Sequence, residues 1–545
     1  MSSAKSHEGQ GAWSALGNPM FRPLWIANVA SGIGSALHDT AAVWTMTTLT
    51  HSATLVTLMQ SMSSLPLFLL ALPAGALADI LDRRKVLLAA QTGALVVTAG
   101  LALLSWAGYL SPIALLAVTF LLGVGVSFTI PTWQALLAEI VGRQHLTSAL
   151  TLGSIAVNVS RALGPVFAGL LLAVASPTAA FALNALSFLG IIVVLWRTHP
   201  PASARSEHPE RMWGALAASL RFTRHSPVVR SVLTRNATFT FFGIASVALL
   251  PLIVRGRGLA AADFGALMGA YGMGGILAAI FLLPILRRRF DADGILFGAT
   301  VILAALAAVL ALEPHRLTME VILLGAGAAW MTGMSALAVA AQSAYPNWVR
   351  ARSSATQLIV VQGSMAGGAL AWGQVTAHSH SSTAMIIASC GLLATLLLGR
   401  IHRIGHAMTV DVTPSDHWGG HQLPHEPGDD EGPIAVTLEY EIDPEKALPF
   451  QRAMERLRRV RLRDGAFRWS LLQDLENPSQ YREAFVISSW GEHLRQHARA
   501  TRDDRSIEDA AQAFHIGPVP PRVRHHLMVV TTQSQVPPLK PGEIS

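Results

Sequence analysis

The sequence predicts an all-α polytopic membrane protein, twelve transmembrane helices in two six-helix halves, followed by a small C-terminal ferredoxin-like α+β domain. Three observations point there. From Val86 to Ala138, and again from Ala162 to Trp196, there is no Asp, Glu, Lys or Arg, whereas a water-soluble helix keeps a charged outer face. The 545 residues are 51% hydrophobic and 13% charged, about half the charged share of ordinary soluble proteins. Finally, Lys and Arg gather in alternate loops, as the cytoplasmic side of a membrane protein requires.

With Gly, Pro and charge clusters as punctuation, residues 1–20 form a polar N-terminal segment whose only basic residue is Lys5 and in which no removable signal peptide is visible. The first bundle covers 21–196, with spans near 23–49, 53–78, 86–108, 111–138, 148–174 and 179–196. A central loop, 197–235, separates it from a second bundle at 236–400, with spans near 236–254, 262–285, 293–312, 318–341, 354–376 and 382–399. In the eighth span Gly265, Gly269, Gly272, Gly274 and Gly275 let helices approach closely. A dinucleotide-binding loop is the competing reading of those glycines, but no strand-turn-helix unit surrounds them. Cys390 is the single cysteine, so no disulfide forms within the chain.

The basic residues test this division. Arg83, Arg84, Lys85, Arg143, the central loop with Arg197, Arg205, Arg211, Arg221, Arg224 and Arg230, Arg287 to Arg289, Arg350, Arg352, Arg400 and Arg403 fall on one side. The other side carries only Arg255, Arg257 and Arg316. The expectation is a multi-pass protein of the plasma (inner) membrane with both termini cytoplasmic. This bias and a basic tail account for the net charge of +7, so no nucleic-acid partner is needed.

The halves carry traces of duplication: Gln134 and Val141 before Arg143 recur in Gln342 and Val349 before Arg350, and Arg83-Arg84-Lys85 has a counterpart in Arg287-Arg288-Arg289. Repeats of this kind place a substrate cavity between them near the bilayer midplane. The junction Gly75-Ala-Leu-Ala-Asp79-Ile-Leu-Asp82-Arg83-Arg84 resembles the loop after the second span of the major facilitator superfamily. Gly75, Asp79, Arg83 and Arg84 match its pattern and Ile80 and Asp82 depart from it; the variant looks like the branch of enterobactin exporters and transmembrane secretion effectors. The resemblance implies a conformational gate in which Asp79 meets the start of span eleven near Ser353 and Ser354, while Arg83 or Arg84 engages Glu139. A purely topological role for these boundary charges is the competing reading. Leu283 stands where the second half would carry the acid, which makes the gate one-sided. In span five, Gly164-Pro165-Val-Phe-Ala-Gly169 resembles, in part, a motif associated with exporters of the superfamily, and Gly and Pro there favour close packing or a bend.

Asp39 and Arg161 are charges inside spans, which are costly and call for a reason. At about 1.5 Å per residue they lie roughly 25 Å and 20 Å along spans one and five, depths compatible with a pair. Asp39 is the candidate proton-coupling acid and Arg161 its partner or an anion contact; a structural ion pair is the other reading. His38 is either a relay member or a packing residue. Trp25, Trp44, Trp106, Trp133, Trp196, Trp330, Trp348 and Trp372 are expected mainly as interface anchors, some as cavity lining.

Beyond a Pro/Gly linker at 401–433, residues 434–530 read as strand, basic amphipathic helix, two strands, helix and strand, followed by a tail at 531–545. This ferredoxin-like order resembles the dimeric α/β barrels of antibiotic-biosynthesis monooxygenases, through Arg463-Asp-Gly-Ala466, Trp469 and Ser489-Trp490-Gly-Glu-His493. The resemblance implies possible dimerisation, with a regulatory or substrate-sensing appendage as one reading and an enzyme using Trp469, Trp490 and His493 as the other. His402, His406, His417, His421 and His425 belong to a solvated linker rather than a metal site. The function expected is proton-coupled export of small hydrophobic or siderophore-like molecules without a cofactor. A transporter fused to a cargo-oxidising enzyme, an importer and a non-transporting sensor are the alternatives.

Overall fold

The computed structural model describes residues 13–198, 220–313, 315–346, 348–415 and 427–529. Expectations for Arg205, Arg211, His417, His421, His425 and the 531–545 tail fall outside the described residues, as do the side chains of Asp79, Arg143, Arg350 and Arg352. The chain divides into two compact units, one holding most of residues 1–408, the other gathering 210–230, 343–353 and 409–545.

Among the described residues twelve long helices follow in chain order: α1 (Phe21–Leu49), α2 (Ala53–Ile80), α3 (Arg83–Trp106), α4 (Pro112–Gly142), α5 (Gln144–Val174), α6 (Pro177–Arg197), α7 (Pro227–Gly256), α8 (Ala261–Arg289), α9 (Ala292–Leu312), α10 (Arg316–Ala344), α11 (Arg350–His378) and α12 (Ser381–Ile401). Eleven of them are long and apolar enough to cross a membrane. α1 has the length, at 29 residues, but Arg22, Asn28, His38, Asp39 and its Ser and Thr residues dilute its apolar character.

Local chemistry explains the starts. Ser52, Asp82, Ser111 and Asp291 accept from the backbone N–H groups of Leu55, Lys85, Ala114 and Gly294, satisfying donors that an α-helix leaves open. α4 runs directly into α5 through Gly142, whose φ of 67° lies in the region that glycine enters without a Cβ penalty. α7 begins at Pro227, inside the segment read as loop, and α8 carries a π-helical stretch at Ala278–Leu282. Arg257 donates to the last carbonyls of α9, Leu310 O at 2.9 Å and Ala311 O at 3.1 Å.

In the second unit β1 (Ile434–Glu441), α13 (Ala447–Asp464), β2 (Arg468–Gln473), β3 (Gln480–Ile487), α14 (Trp490–Arg499), α15 (Arg502–Gln512) and β4 (Arg522–Leu527) follow in turn. The four strands are antiparallel in the order β2-β3-β1-β4. Alternate residues of β1 and β3, including Val436, Leu438, Tyr440, Phe485 and Ile487, are buried with Phe450, Met454 and Leu457 of α13. The final helical region is split, because Thr501 and Asp504 form a reciprocal cap that starts α15.

Two buried charge networks stiffen this module. Arg461 bridges Glu483 at 3.2 Å and Glu508 at 2.9 Å, while Trp469 Nε1 and Tyr440 Oη donate to the Glu483 carboxylate. Arg463 joins Asp464 at 2.7 Å and Asp504 at 2.6 Å. Burial pushes Asp464 up to about 6, against the opposing pull of Arg463.

Candidate functional site

Functional chemistry collects first at the junction of α2, α3 and α4. Asp82, one of the departures from the motif, serves as the N-cap of α3, its Oδ1 accepting from Lys85 N at 3.1 Å. Its neighbour Arg83 uses Nη1 to donate to Glu139 Oε1, joining the start of α3 to the end of α4. Arg84 donates Nε to Leu195 O at 2.9 Å and Nη2 to Trp196 O, tying α3 to the open carbonyls that end α6. Gly75 faces open space. The expected contact of Asp79 with Ser353 or Ser354 lies outside the described side chains; Ser354 Oγ accepts from Gln342 Nε2 at 3.1 Å. In the second half Arg287 donates to Ser335 Oγ at 2.9 Å, and Leu283 is buried.

The line where α1–α6 meet α7–α12 is built from residues with little or no side chain. A Cβ on Gly265 would lie 2.5 Å from Gly169 Cα and 2.5 Å from Pro165 O, and one on Gly272 would lie 2.7 Å from Arg161 O. A Cβ on Gly269 would instead meet Cγ2 of the Val166 side chain, so α5 and α8 touch backbone to backbone at Gly265 and Gly272 and backbone to side chain between them. Nearby, Ser61 Oγ of α2 donates to Ala366 O of α11 at 2.7 Å, Gly373 packs on Thr57, and Gly363 packs on Phe68. Trp44 of α1 stacks on Phe264 of α8 with ring centroids 5.5 Å apart. These contacts between the halves run from mid-helix to the ends predicted to face outward.

Asp39 and Arg161 do not pair. Gly32 packs on Ser160 and Gly164 on Ala36, which sets α1 and α5 side by side in parallel register. That register puts Arg161 level with Ile33, about six residues or roughly 9 Å short of Asp39 along the axis. The depth estimate from sequence could not see this offset. Both side chains are exposed, and Tyr271 lies within electrostatic reach of Arg161. His38 instead packs in the first half, 1% exposed and 5.1 Å from the Phe181 ring. Gly164 and Gly169 sit at two different close approaches, to α1 and to α8, with Pro165 between them. Trp372 donates Nε1 to Phe241 O at 2.9 Å within the second half, while Trp106 and Trp196 are exposed.

In the C-terminal module the residues of the enzyme reading are not gathered in one place. Trp469 belongs to β2 and serves Glu483, whereas Trp490 and His493 cluster with His525 of β4, His493 lying 5.3 Å from Trp490 and 4.9 Å from His525 between ring centroids. β3 and β1 stand between those two strands, a separation of roughly 14 Å at sheet spacing. Among the described residues no three His, Cys, Asp or Glu side chains are placed to hold a metal ion. Sequence reasoning missed the capping roles of Arg84 and Arg257 and the Ser61 hydrogen bond, for which no local pattern exists.

Comparison with known proteins adds an independent line. The family described as transmembrane secretion effector matches residues 10–534. The staphyloferrin A transporter of Staphylococcus aureus is 23% identical over 277 residues, covering 50% of this chain and 70% of its own length. An enterobactin exporter of Escherichia coli O1:K1 is 26% identical over 351 residues, covering 63% of this chain and 77% of its own. Among solved structures, a bacterial homologue of the human lysosomal transporter Spinster superposes with a TM-score of 0.55 at 15% identity, over 74% of this chain and 98% of that one.

Proposed function

Because this chain belongs to the transmembrane secretion effector family of major facilitator transporters, we propose that it is a twelve-span, proton-coupled exporter of small hydrophobic or siderophore-like molecules. α1 counts as a span in this reading, its polar residues facing other helices or the transport path. The glycine-lined seam between α5 and α8 carries the proposal. It lets two six-helix halves close tightly at one end with little side-chain interlocking, which a rocking mechanism needs. On this reading the end of the seam at Gly265 and Gly373 faces outward and is closed. Staphyloferrin A and enterobactin are the substrates named for two relatives, and the Gly164-Pro165 pattern favours export.

Within this reading Asp39 takes and releases the coupled proton, and Arg161, beside Tyr271 and unpaired with Asp39, offers an anion contact. Asp79, Arg83, Arg84 and Glu139 form the inner gate, of which the Arg83–Glu139 tie is the described part. The C-terminal module is read as a ferredoxin-like appendage with its second helix broken in two, an order its antiparallel β2-β3-β1-β4 sheet supports.

The deciding experiment compares compound accumulation and sensitivity in a strain lacking the protein with one overproducing it. Higher internal levels in the deletion strain support export, and lower levels overturn it in favour of uptake. In vesicles, Asp39→Asn is expected to abolish proton-driven transport; transport at the full rate removes the coupling role.

A further inference from the structure

The unit that contains the C-terminal module also contains two segments from far upstream, one that includes 220–230 and so the first turn of α7, and 343–353, which spans the end of α10, the turn after it and the start of α11. Their side chains meet on one surface of the module. Arg221 Nη2 reaches Glu492 Oε1 at 3.2 Å, and the same carboxylate holds Arg499 at 2.7 Å and Arg495 at 2.8 Å. Phe222, 2% exposed, lies under the Arg463 guanidinium at 5.3 Å and meets the Trp348 ring edge-on at 5.7 Å. The opposite side of the joint is closed by Arg499, stacked over Trp348 at 4.6 Å. The two arginines are fixed from behind, Arg463 by Asp464 and Asp504, Arg499 by Glu492 and by donation to Asp464 O at 3.3 Å. The side chains of Arg463, Arg499 and Glu492 are 14%, 13% and 12% exposed, so the charges work largely out of water, where cation–π contacts are strongest.

We propose that the C-terminal module is an internal clasp: Arg463, Arg499 and Glu492 grip Arg221 and Phe222 of the central loop together with Trp348 of the α10–α11 turn, restraining both segments. The residues gripped lead into α7 and into the start of α11, so the module sets how freely those cytoplasmic approaches move. Since the α11 start is the proposed partner of Asp79, the clasp regulates the inner gate, and this consequence rests on the gate reading above. The grip is of Arg-over-aromatic type and needs no ligand.

The test uses the full-length protein in detergent with a protease site inserted between residues 417 and 425. After cleavage the C-terminal fragment is expected to co-elute with the membrane part, and to be released from Phe222→Ala, Trp348→Ala and Arg221→Glu. Amide exchange at 220–226 and 343–353 is expected to quicken at least about tenfold in the alanine variants, while β1 and β3 exchange as before, which separates lost grip from an unfolded module. Arg221→Lys keeps the charge and is expected to retain the fragment. Release of the fragment from the otherwise unaltered chain overturns the proposal, as does unchanged exchange at both segments in all variants. Full transport by Asp79→Asn removes the gate reading and leaves these outcomes as they are.

Discussion

Replacing Gly265 by alanine tests the seam between the halves directly. The new Cβ would sit 2.5 Å from Gly169 Cα and Pro165 O, both backbone, where ordinary contact begins near 3.4 Å. No rotamer relieves the clash, so α5 and α8 must separate by about 1 Å, a gap that forfeits a quarter to a half of each dispersion contact along the seam. Overpacking of this kind costs about 1–3 kcal/mol, or roughly a five- to 150-fold loss of the conformation in which this seam is closed, at 1.4 kcal/mol per factor of ten. Helix propensity works the other way, favouring alanine by about 1 kcal/mol. Gly190→Ala, at a position where an added Cβ meets nothing, isolates that term. In a Cys390→Ser background, spin labels at Tyr109→Cys and His315→Cys, both exposed, report the distance between the predicted outer ends of the halves. The distribution is expected to broaden and lengthen in Gly265→Ala, further in Gly265→Leu, and to stay put in Gly190→Ala. Identical distributions in all three would falsify the claim that backbone contact at this seam holds the conformation.

Three further outcomes are expected. Glu139→Gln and Arg83→Ala each slow transport at least about tenfold, since either leaves a partly buried charge without its partner; the double variant is expected to be no slower than the single ones, and a multiplicative loss would exclude their acting as a pair. Arg461→Met destabilises the C-terminal module by about 3–5 kcal/mol because Glu483, at 0% exposure, stays buried without its cation, and adding Glu483→Leu and Glu508→Leu is expected to recover most of the melting temperature. The clasp is lost in acid: burial opposes ionisation of Glu492, but Arg499 and Arg495 hold its pKa below the ordinary 4.5, so its contribution is complete above that value and disappears as pH falls through the lowered one. Retention of the cleaved fragment is expected to fall as pH drops from 4.5 through that lowered pKa; retention that rises across that window contradicts the sign.

The bundle was legible in the sequence because lipid imposes a local rule: about 20 apolar residues per span, charges only at the ends. The Gly-rich run in α8 likewise announced close helix contact, since only small residues let backbones touch. Two boundaries escaped. α4 and α5 join through Gly142, and α7 reaches back to Pro227, because short polar stretches continue a helix as readily as they end one when tertiary contacts favour it.

Sequence alone therefore determined where the helices lie, which residue types form the junction at Asp79–Lys85, and that strands mixed with helices follow. Each of these rests on a run or a spacing within one segment. The tertiary structure decided which groups meet: Arg83 with Glu139 and Arg84 with the end of α6, while Asp39 is offset from Arg161. It also decided that Phe222 and Trp348 share a surface with Arg463 and Arg499. The reason is register. An axial slip of a few residues between two helices leaves every local pattern intact yet moves charged side chains beyond hydrogen-bond reach, and that slip is set by glycines packing across chain separations no local pattern spans.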